Sequence, residues 1–388
     1  MKDRKINILH LVQSLQVGGA EVLLLHYIKA LGSVKYNHTV YYFGPKGWIA
    51  EKLVDSGVRL IKGQKRSEIK NPFKFVRSHY LLLMDLLKFI RENRIHIILS
   101  HMGQANQLSV VAGKLSKIPA FPTVHNTMAF VDRRHWCDPR KNLIKIVDNI
   151  IYRIADRILV VSNEVKDIVK NTFRINPSKI TILRNGITFD EHQYRSIDLT
   201  SEFKGSGDKI KIIAVGSLTY QKAMDVLIKS AADLIEGKFL NFIILIVGEG
   251  EKRKQLVKLV RELNLEKYVK LLGLRNDAIN LIKSCDIFVM PSRYEGLSIA
   301  MIEAMACGVP IIASDAPGLR NYIKHMHNGL LFPTGDHKIL AKRIFNFALD
   351  KELRTVVSQS AKETYKNEYD MSKNISALNK LLLEYSLL

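Results

Sequence analysis

Residues 290–314 read MPSRYEGLSIAMIEAMACGVPIIAS. The apolar run DIFVMPS (286–292) enters this stretch and PIIAS closes it. Both runs are short, continuous and bounded by turn residues, which predicts strands buried on both faces. Between them RYEG predicts a loop and LSIAMIEAMAC a helix. Gly308 stands where a helix C′ residue belongs, and Pro310 prevents continuation. Strand, loop, helix and strand in this order build a parallel sheet covered by helices. The unit carries two carboxylates eight positions apart, Glu295 in the loop and Glu303 less than two turns inside the helix. Ala304 and Ala306 imply close packing around Glu303, so this acid has no casual place in the segment.

In open α/β sheets ligands bind beyond the carboxyl ends of the strands. The amides of Gly296, Leu297 and Ser298 open the helix, where free N–H groups and the dipole favour an anion. Hydroxyl-accepting carboxylates beside such an end suit a ligand with both hydroxyls and phosphates, a nucleoside diphosphate sugar.

The same alternation runs through the chain. INILHLV, HTVYYFG, IHIILSH, FPTVHN, RILVVSN and KITILRNG predict strands in the first half. IKIIAVGSL, FIILIVGEG and YVKLLGL precede the opening unit in the second. This predicts an α/β chain with two doubly wound, Rossmann-like domains. The polar, aperiodic segment 190–209 separates them. The expected domains are residues 1–195 and 205–369, with 370–388 an amphipathic helix.

Other post-strand loops carry chemistry of their own. Gly18 and Gly19 lead into a helix after the first strand, where close approach of a phosphate is possible. His101 and His125 stand at two further strand ends, and His125 suits a polar partner for a reacting hydroxyl. Lys222 opens a helix after IKIIAVGSL, against the dipole unless it faces an anion. Gly248 and Gly250 read as turn residues. The loop near Leu274 and Arg275 is a candidate for base contacts.

The chain has 388 residues, and its composition of 47% hydrophobic and 25% charged residues is that of a globular protein. Cys137, Cys285 and Cys307 are far apart, with no metal-ligand spacing, which argues against a disulfide framework or zinc site. No DxD sequence occurs, so neither a metal nor another cofactor is expected. The N-terminal MKDRKINILHLVQSL reads as a strand rather than a signal peptide, and no apolar run is long enough to span a bilayer. The net charge of +22 is concentrated in residues 1–200, with 32 Lys and Arg against 16 Asp and Glu. Segments 62–80 and 133–153 interleave basic with aromatic or aliphatic residues. That mixture suits an anionic membrane surface. Zinc-finger, basic-zipper and RNP-type motifs are missing, so a basic nucleic-acid-binding protein is a distant alternative. The lack of GxGxxG after any strand argues against a nicotinamide dehydrogenase.

Taken in order, GGAE (18–21), VHN (124–126), VSN (161–163), RNG (184–186), VGSLTYQK (215–222), VGEG (247–250) and the E-x7-E stretch with EAMACGVPII (303–312) resemble glycosyltransferase family 4 over nearly the whole chain. These are retaining transferases of the GT-B fold. The resemblance implies two Rossmann-like domains facing a cleft, with the last helix crossing back to the first. It implies that Glu295 accepts from hydroxyls of the donor sugar and Glu303 holds the ribose. Lys222 and the backbone at 296–298 would bind the diphosphate, Gly18 and Gly19 would close over the donor, and His125 would contact the reacting region. Three positions depart from the family pattern: Ser217 replaces an arginine, Ala223 a glycine and Asn321 a glutamate. Arg184, Arg293 or another cation would then help to hold the diphosphate, and Asn185 of RNG is a further donor-site candidate. The implied activity is hexosyl transfer with retention from a nucleotide-diphosphate sugar, UDP-linked before GDP-linked. The acceptor would be lipid-linked or a polysaccharide precursor, at the inner face of the cytoplasmic membrane. A GT-B epimerase or sugar phosphorylase is the alternative.

Overall fold

The computed structural model describes residues 5–16, 19–63, 72–125, 139–203, 207–295 and 298–386, with side chains left aside at 72–76, 139–145 and 386. Contacts divide the chain into two compact units, Met1–Thr188 with Met371–Leu388, and Phe189–Asp370.

The first unit is built on seven parallel strands: β1 (Ile6–Val12), β2 (Tyr36–Tyr42), β3 (Arg59–Lys62), β4 (Ile97–His101), β5 (Ala120–Val124), β6 (Ile158–Val160) and β7 (Ile180–Ile182). Their order is β3-β2-β1-β4-β5-β6-β7. The second has six: β8 (Ile210–Val215), β9 (Phe242–Val247), β10 (Val269–Gly273), β11 (Ile287–Met290), β12 (Ile311–Ser314) and β13 (Leu330–Phe332), in the order β10-β9-β8-β11-β12-β13. In each sheet the order reverses beside the first strand, between β1 and β4 and between β8 and β11. Crevices at the carboxyl ends of the strands open at such points.

Every residue of β4, β5, β9, β11 and β12 is buried. That is why these strands read as unbroken apolar runs rather than alternating ones. Each buried Ile, Leu or Val contributes roughly 1.5–3 kcal/mol relative to exposure. The short edge strands β3 and β13 were not among the expected ones. RLIK of β3 has exposed ends and only two apolar residues, and β13 has three residues in all.

Helix Met371–Ser386 belongs to the first unit. Met371 N donates to Ile187 O at 3.0 Å, and Leu378 and Leu382 are buried. Tyr385 meets Phe121 of β5 edge-on, with ring centroids 5.0 Å apart. Tyr36 hydroxyl donates to Asn379 Oδ1. Residues 190–203 of the polar segment 190–209 are pinned within the second unit. Arg195 N donates to Asn280 Oδ1 at 3.2 Å, Ile197 N to Ser284 Oγ at 2.7 Å, and Leu199 is buried. Residues 204–206 lie outside the described residues, as do 64–71 and 133–138 of the two basic segments. No described helix is long and apolar enough to cross a membrane.

Candidate active site

In the second unit the chemistry gathers after β8, β11 and β12. Lys222 and Glu295 come from different loops, yet Lys222 Nζ lies 2.5 Å from Glu295 Oε1. Both side chains are largely buried, at 15% and 5% exposure. Ser292, fully buried just after β11, donates to the same carboxylate oxygen at 2.9 Å. Ser314 hydroxyl at the end of β12 donates in turn to Ser292 O. Among the described residues Glu295 Oε2 has no partner, so one carboxylate oxygen is fixed and the other is open to a ligand. An ammonium has three donors, and Lys222 spends one here. The serines were missed in the sequence because a Ser after a strand carries no signal until its partner is known.

Helix Ile299–Cys307 begins at Ser298, whose side chain makes no capping bond, and ends in a left-handed Gly308 with φ 69°. Ser298 is buried at the helix start. Gly296 and Leu297 lie outside the described residues. Glu303 is partly buried one turn in. Burial pushes its carboxyl up to about 7, and it faces Tyr194 and Cys307. Among the described residues no group hydrogen-bonds its side chain. Ala304 and Ala306 are buried, in keeping with the tight packing expected around it.

The loop that holds Lys222 is zipped to its neighbour. Gly216 N donates to Val247 O at 3.0 Å, Leu218 N to Glu249 O at 2.8 Å and Lys252 N to Leu218 O at 2.9 Å. Gly248 and Gly250 are therefore more than turn residues. A Cβ on Gly248, where φ is 141°, would lie 2.0 Å from Gly216 O, and one on Gly250 would lie 2.4 Å from Leu218 O. Ala223 precedes helix Met224–Glu236 in the left-handed region, at φ 51° and ψ 39°. This explains why glycine is the family's residue there, since a Cβ costs about 1–2 kcal/mol in that conformation.

Two other candidate cations are already committed. Arg293 makes two bonds to Asp225, at 3.1 and 2.8 Å, donates to Tyr220 O, and lies over the Tyr220 ring at 4.2 Å. It is a brace between loops rather than a free cation, and Asp225 gave no hint of this in the sequence. Arg275 is shared between Asp277 and Glu202, while neighbouring Leu274 is 62% exposed. Ser217 is exposed.

In the first unit His101 and His125 come together, with His101 Nδ1 and His125 Nε2 3.3 Å apart. Two histidines that the sequence did not single out extend the pair. His10 of β1 and His38 of β2, whose register partner on β1 is Ile8, lie on the same face, and His10 Nε2 lies 3.0 Å from His38 Nδ1. Their signal was present, since a histidine inside the apolar run INILHLV is out of place. Desolvation lowers His101 to about 3 and His125 to about 4, so both rings are neutral. Gly19 begins helix Gly19–Leu31, and a Cβ there would meet nothing within 4 Å. Among the described residues no contact requires a glycine at that point, and Gly18 lies outside them. Arg184 is exposed after β7, while buried Asn185 accepts from Tyr27 hydroxyl at 3.4 Å. Ser162 of VSN caps helix Asn163–Phe173 by accepting from Val165 N at 3.2 Å. Among the described residues no group of three or more His, Cys, Asp or Glu could hold a metal ion.

Two family models match the chain. Glycosyl transferases group 1 covers residues 198–364, and Glycosyltransferase Family 4 covers residues 17–191. The chain belongs to glycosyltransferase family 4. The transferase is 25% identical over 307 residues to an Escherichia coli UDP-Gal:alpha-D-GlcNAc-diphosphoundecaprenol alpha-1,3-galactosyltransferase, covering 78% of this chain and 79% of that one. It is also 25% identical over 346 residues to a Campylobacter jejuni N,N'-diacetylbacillosaminyl-diphospho-undecaprenol alpha-1,3-N-acetylgalactosaminyltransferase, covering 86% and 88%. Among solved structures, Anabaena Alr3699/HepE in complex with UDP-glucose aligns with TM-score 0.82 at 20% identity, over 98% of this chain and 100% of that one. The transferase thus has the GT-B fold of two parallel-sheet α/β domains, and it is an enzyme that transfers glycosyl groups.

Proposed function

We propose that the transferase moves a hexosyl group, with retention, from a nucleotide-diphosphate sugar, UDP-linked before GDP-linked, to a lipid-linked saccharide in surface glycan synthesis. The observation that carries the donor half is the buried Lys222–Glu295 pair, held by Ser292 one loop before helix Ile299–Cys307. Glu295 Oε2 accepts from hydroxyls of the donor sugar. The two remaining Lys222 donors and the helix start at 296–298 take the diphosphate and stabilise the charge that grows on it, the usual large electrostatic contribution. Glu303 takes the ribose hydroxyls. In the first domain His125 contacts the reacting sugar, and Gly18 and Gly19 admit the donor phosphates. The acceptor hydroxyl attacks the face the diphosphate leaves, and the departing phosphate oxygen takes its proton. The bond to the anomeric carbon breaks with its electron pair going to the diphosphate.

The acceptor half is supported by the two relatives named for diphospho-undecaprenol substrates. Exposed apolar side chains lie on the helices of the basic segments: Tyr80 and Met84 on Pro72–Glu92, and Ile146, Ile150 and Ile154 on Pro139–Ile154. Apolar groups beside Lys and Arg fit an anionic membrane surface on the cytoplasmic side, where each cation adds ~1 kcal/mol. A thermal-shift screen against UDP-, GDP- and ADP-sugars tests the donor, because a ligand of the folded state raises Tm by mass action. A rise with UDP-sugars is expected, and no rise with any nucleotide sugar would overturn the reading. NMR of the product's anomeric proton then reads retention directly.

A further inference from the structure

Four histidines from adjacent strands lie on one face of the first sheet. His38 pairs in register with Ile8, and His101 with Val12. His10 lies between those two residues on β1, and side chains two apart share a face. His101 pairs with Thr123, which puts His125, two residues on, beside it. Helix Gly19–Leu31 covers this face, with the Tyr27 ring 6.2 Å from His101.

Hydrogen-bond polarity along the row follows from one end. His38 Nε2 lies 3.0 Å from Gly32 O. A carbonyl only accepts, so His38 carries its proton on Nε2, and in the neutral ring Nδ1 is a bare lone pair. His10 must then donate from Nε2 to His38 Nδ1 across their 3.0 Å contact. That leaves His10 Nδ1 as an acceptor, fully buried and with no partner among the described residues. On the next strand His101 Nε2 is likewise buried and unpartnered among the described residues. The two rings are nearly parallel with centroids 6.4 Å apart, and two buried nitrogens without protein partners are the polar groups that a buried water serves. A buried nitrogen left unpaired carries the full cost of its desolvation, which a hydrogen-bonded water removes.

We propose that His38, His10, one buried water and His101 form a one-way hydrogen-bonded line that fixes His125 as the Nε2–H tautomer. The water donates to His10 Nδ1 and accepts from His101 Nε2–H. His101 Nδ1 then accepts from His125 Nε2–H. Every ring donates from Nε2 and accepts at Nδ1, and bonds aligned head to tail strengthen one another. The consequence lies at the open end: His125 Nδ1, without a partner among the described residues, presents a lone pair to a substrate hydroxyl. His10, His38 and His101 are positioning residues acting through His125. Their purpose rests on the reading of His125 as a substrate contact.

The test is two-bond 15N–1H correlation NMR of histidine-labelled, ligand-free protein at neutral pH. Four neutral rings, all Nε2–H, are expected. An Nδ1–H proton on His101 or His125, or an imidazolium among the four, would overturn the line. In His10→Phe the expected outcome is mixed tautomers at His125 and a kcat/KM about tenfold lower. His10→Gln, whose amide oxygen restores an acceptor, should recover both. Unchanged tautomers and turnover in a folded His10→Phe would also overturn the line, and the wild-type spectrum decides if that variant does not fold. Full turnover by His125→Ala would instead overturn the reading of His125 as a substrate contact, whatever the tautomers.

Discussion

Lys222 Nζ and Glu295 Oε1 are 2.5 Å apart although they are 73 residues apart in sequence. Each loop therefore sets the position of the other's charge. Lys222→Ala leaves a largely buried carboxylate with only Ser292, and Glu295→Gln leaves the ammonium without its anion. Breaking one side of such a pair costs about 3–5 kcal/mol when burial is complete, and somewhat less here. Transfer should fall by about 10²–10³-fold in either variant, the usual loss on removing one preorganised charge contact. Circular dichroism checks the fold and a donor-hydrolysis-corrected transfer assay checks the rate; near-wild-type transfer in both variants would remove the site.

Glu303 gives a pH signature. Burial raises its carboxyl from the ordinary 4.5 to about 7, so the folded chain holds this proton more tightly than the unfolded chain. Its contribution is fully present below pH 4.5, is lost as pH rises through about 7, and does not return above. Urea unfolding at pH 5 and pH 8 should show that loss in the wild type and a smaller one in Glu303→Gln. Ribose hydroxyls donate best to the ionised form, so nucleotide affinity should rise as pH passes 7 and stay flat in the variant.

Gly248→Ala sets a methyl against Gly216 O, 2.0 Å away, in a backbone conformation that L residues rarely adopt. Gly216 in turn lies under the Lys222 stem, whose Cε is 3.2 Å from a Cβ built there. The substitution should lower Tm by several degrees and raise the donor KM, because the β8 loop must move and carry Lys222 with it. A donor titration by calorimetry on the folded fraction separates the two effects.

Ala223→Gly should do the reverse. It relieves a left-handed alanine, a gain of about 1–2 kcal/mol, against a loss of roughly 1 kcal/mol in chain entropy and a buried methyl. Chemical denaturation should show up to about 1 kcal/mol of added stability, and Ala223→Val a clear loss.

Flotation with anionic vesicles tests the membrane surface. The wild type should float at low salt and release as salt rises, since screening shortens the reach of its charges. Ile146→Asp with Ile150→Asp, on the exposed side of helix Pro139–Ile154, should reduce flotation severalfold without changing the donor-induced Tm rise.

The fold was legible wherever burial on both faces made a strand uniformly apolar, as in FIILIV of β9. It was not legible at RLIK of β3, where an edge position exposes the ends and leaves no pattern. Of the site, Glu295, Glu303 and Lys222 stood out because each is a charge at a strand end or in an apolar helix. Ser292 and Asp225 did not, because an ordinary polar residue acquires its role only from the partner that folding brings to it. Arg293 shows the same limit from the other side: its charge was visible, and the Asp225 that neutralises it was not.

Helix Met371–Ser386 completes the first domain from the far side of the second in sequence. On the ribosome, where domains tend to fold as they emerge, residues 189–370 are available as a whole before the first domain has its last helix. The domain made second can finish first. Until then Phe121 lacks Tyr385 and Tyr36 lacks Asn379, so a nascent chain stalled near Asp370 would present part of the first domain uncovered, with its transferase activity still unassembled.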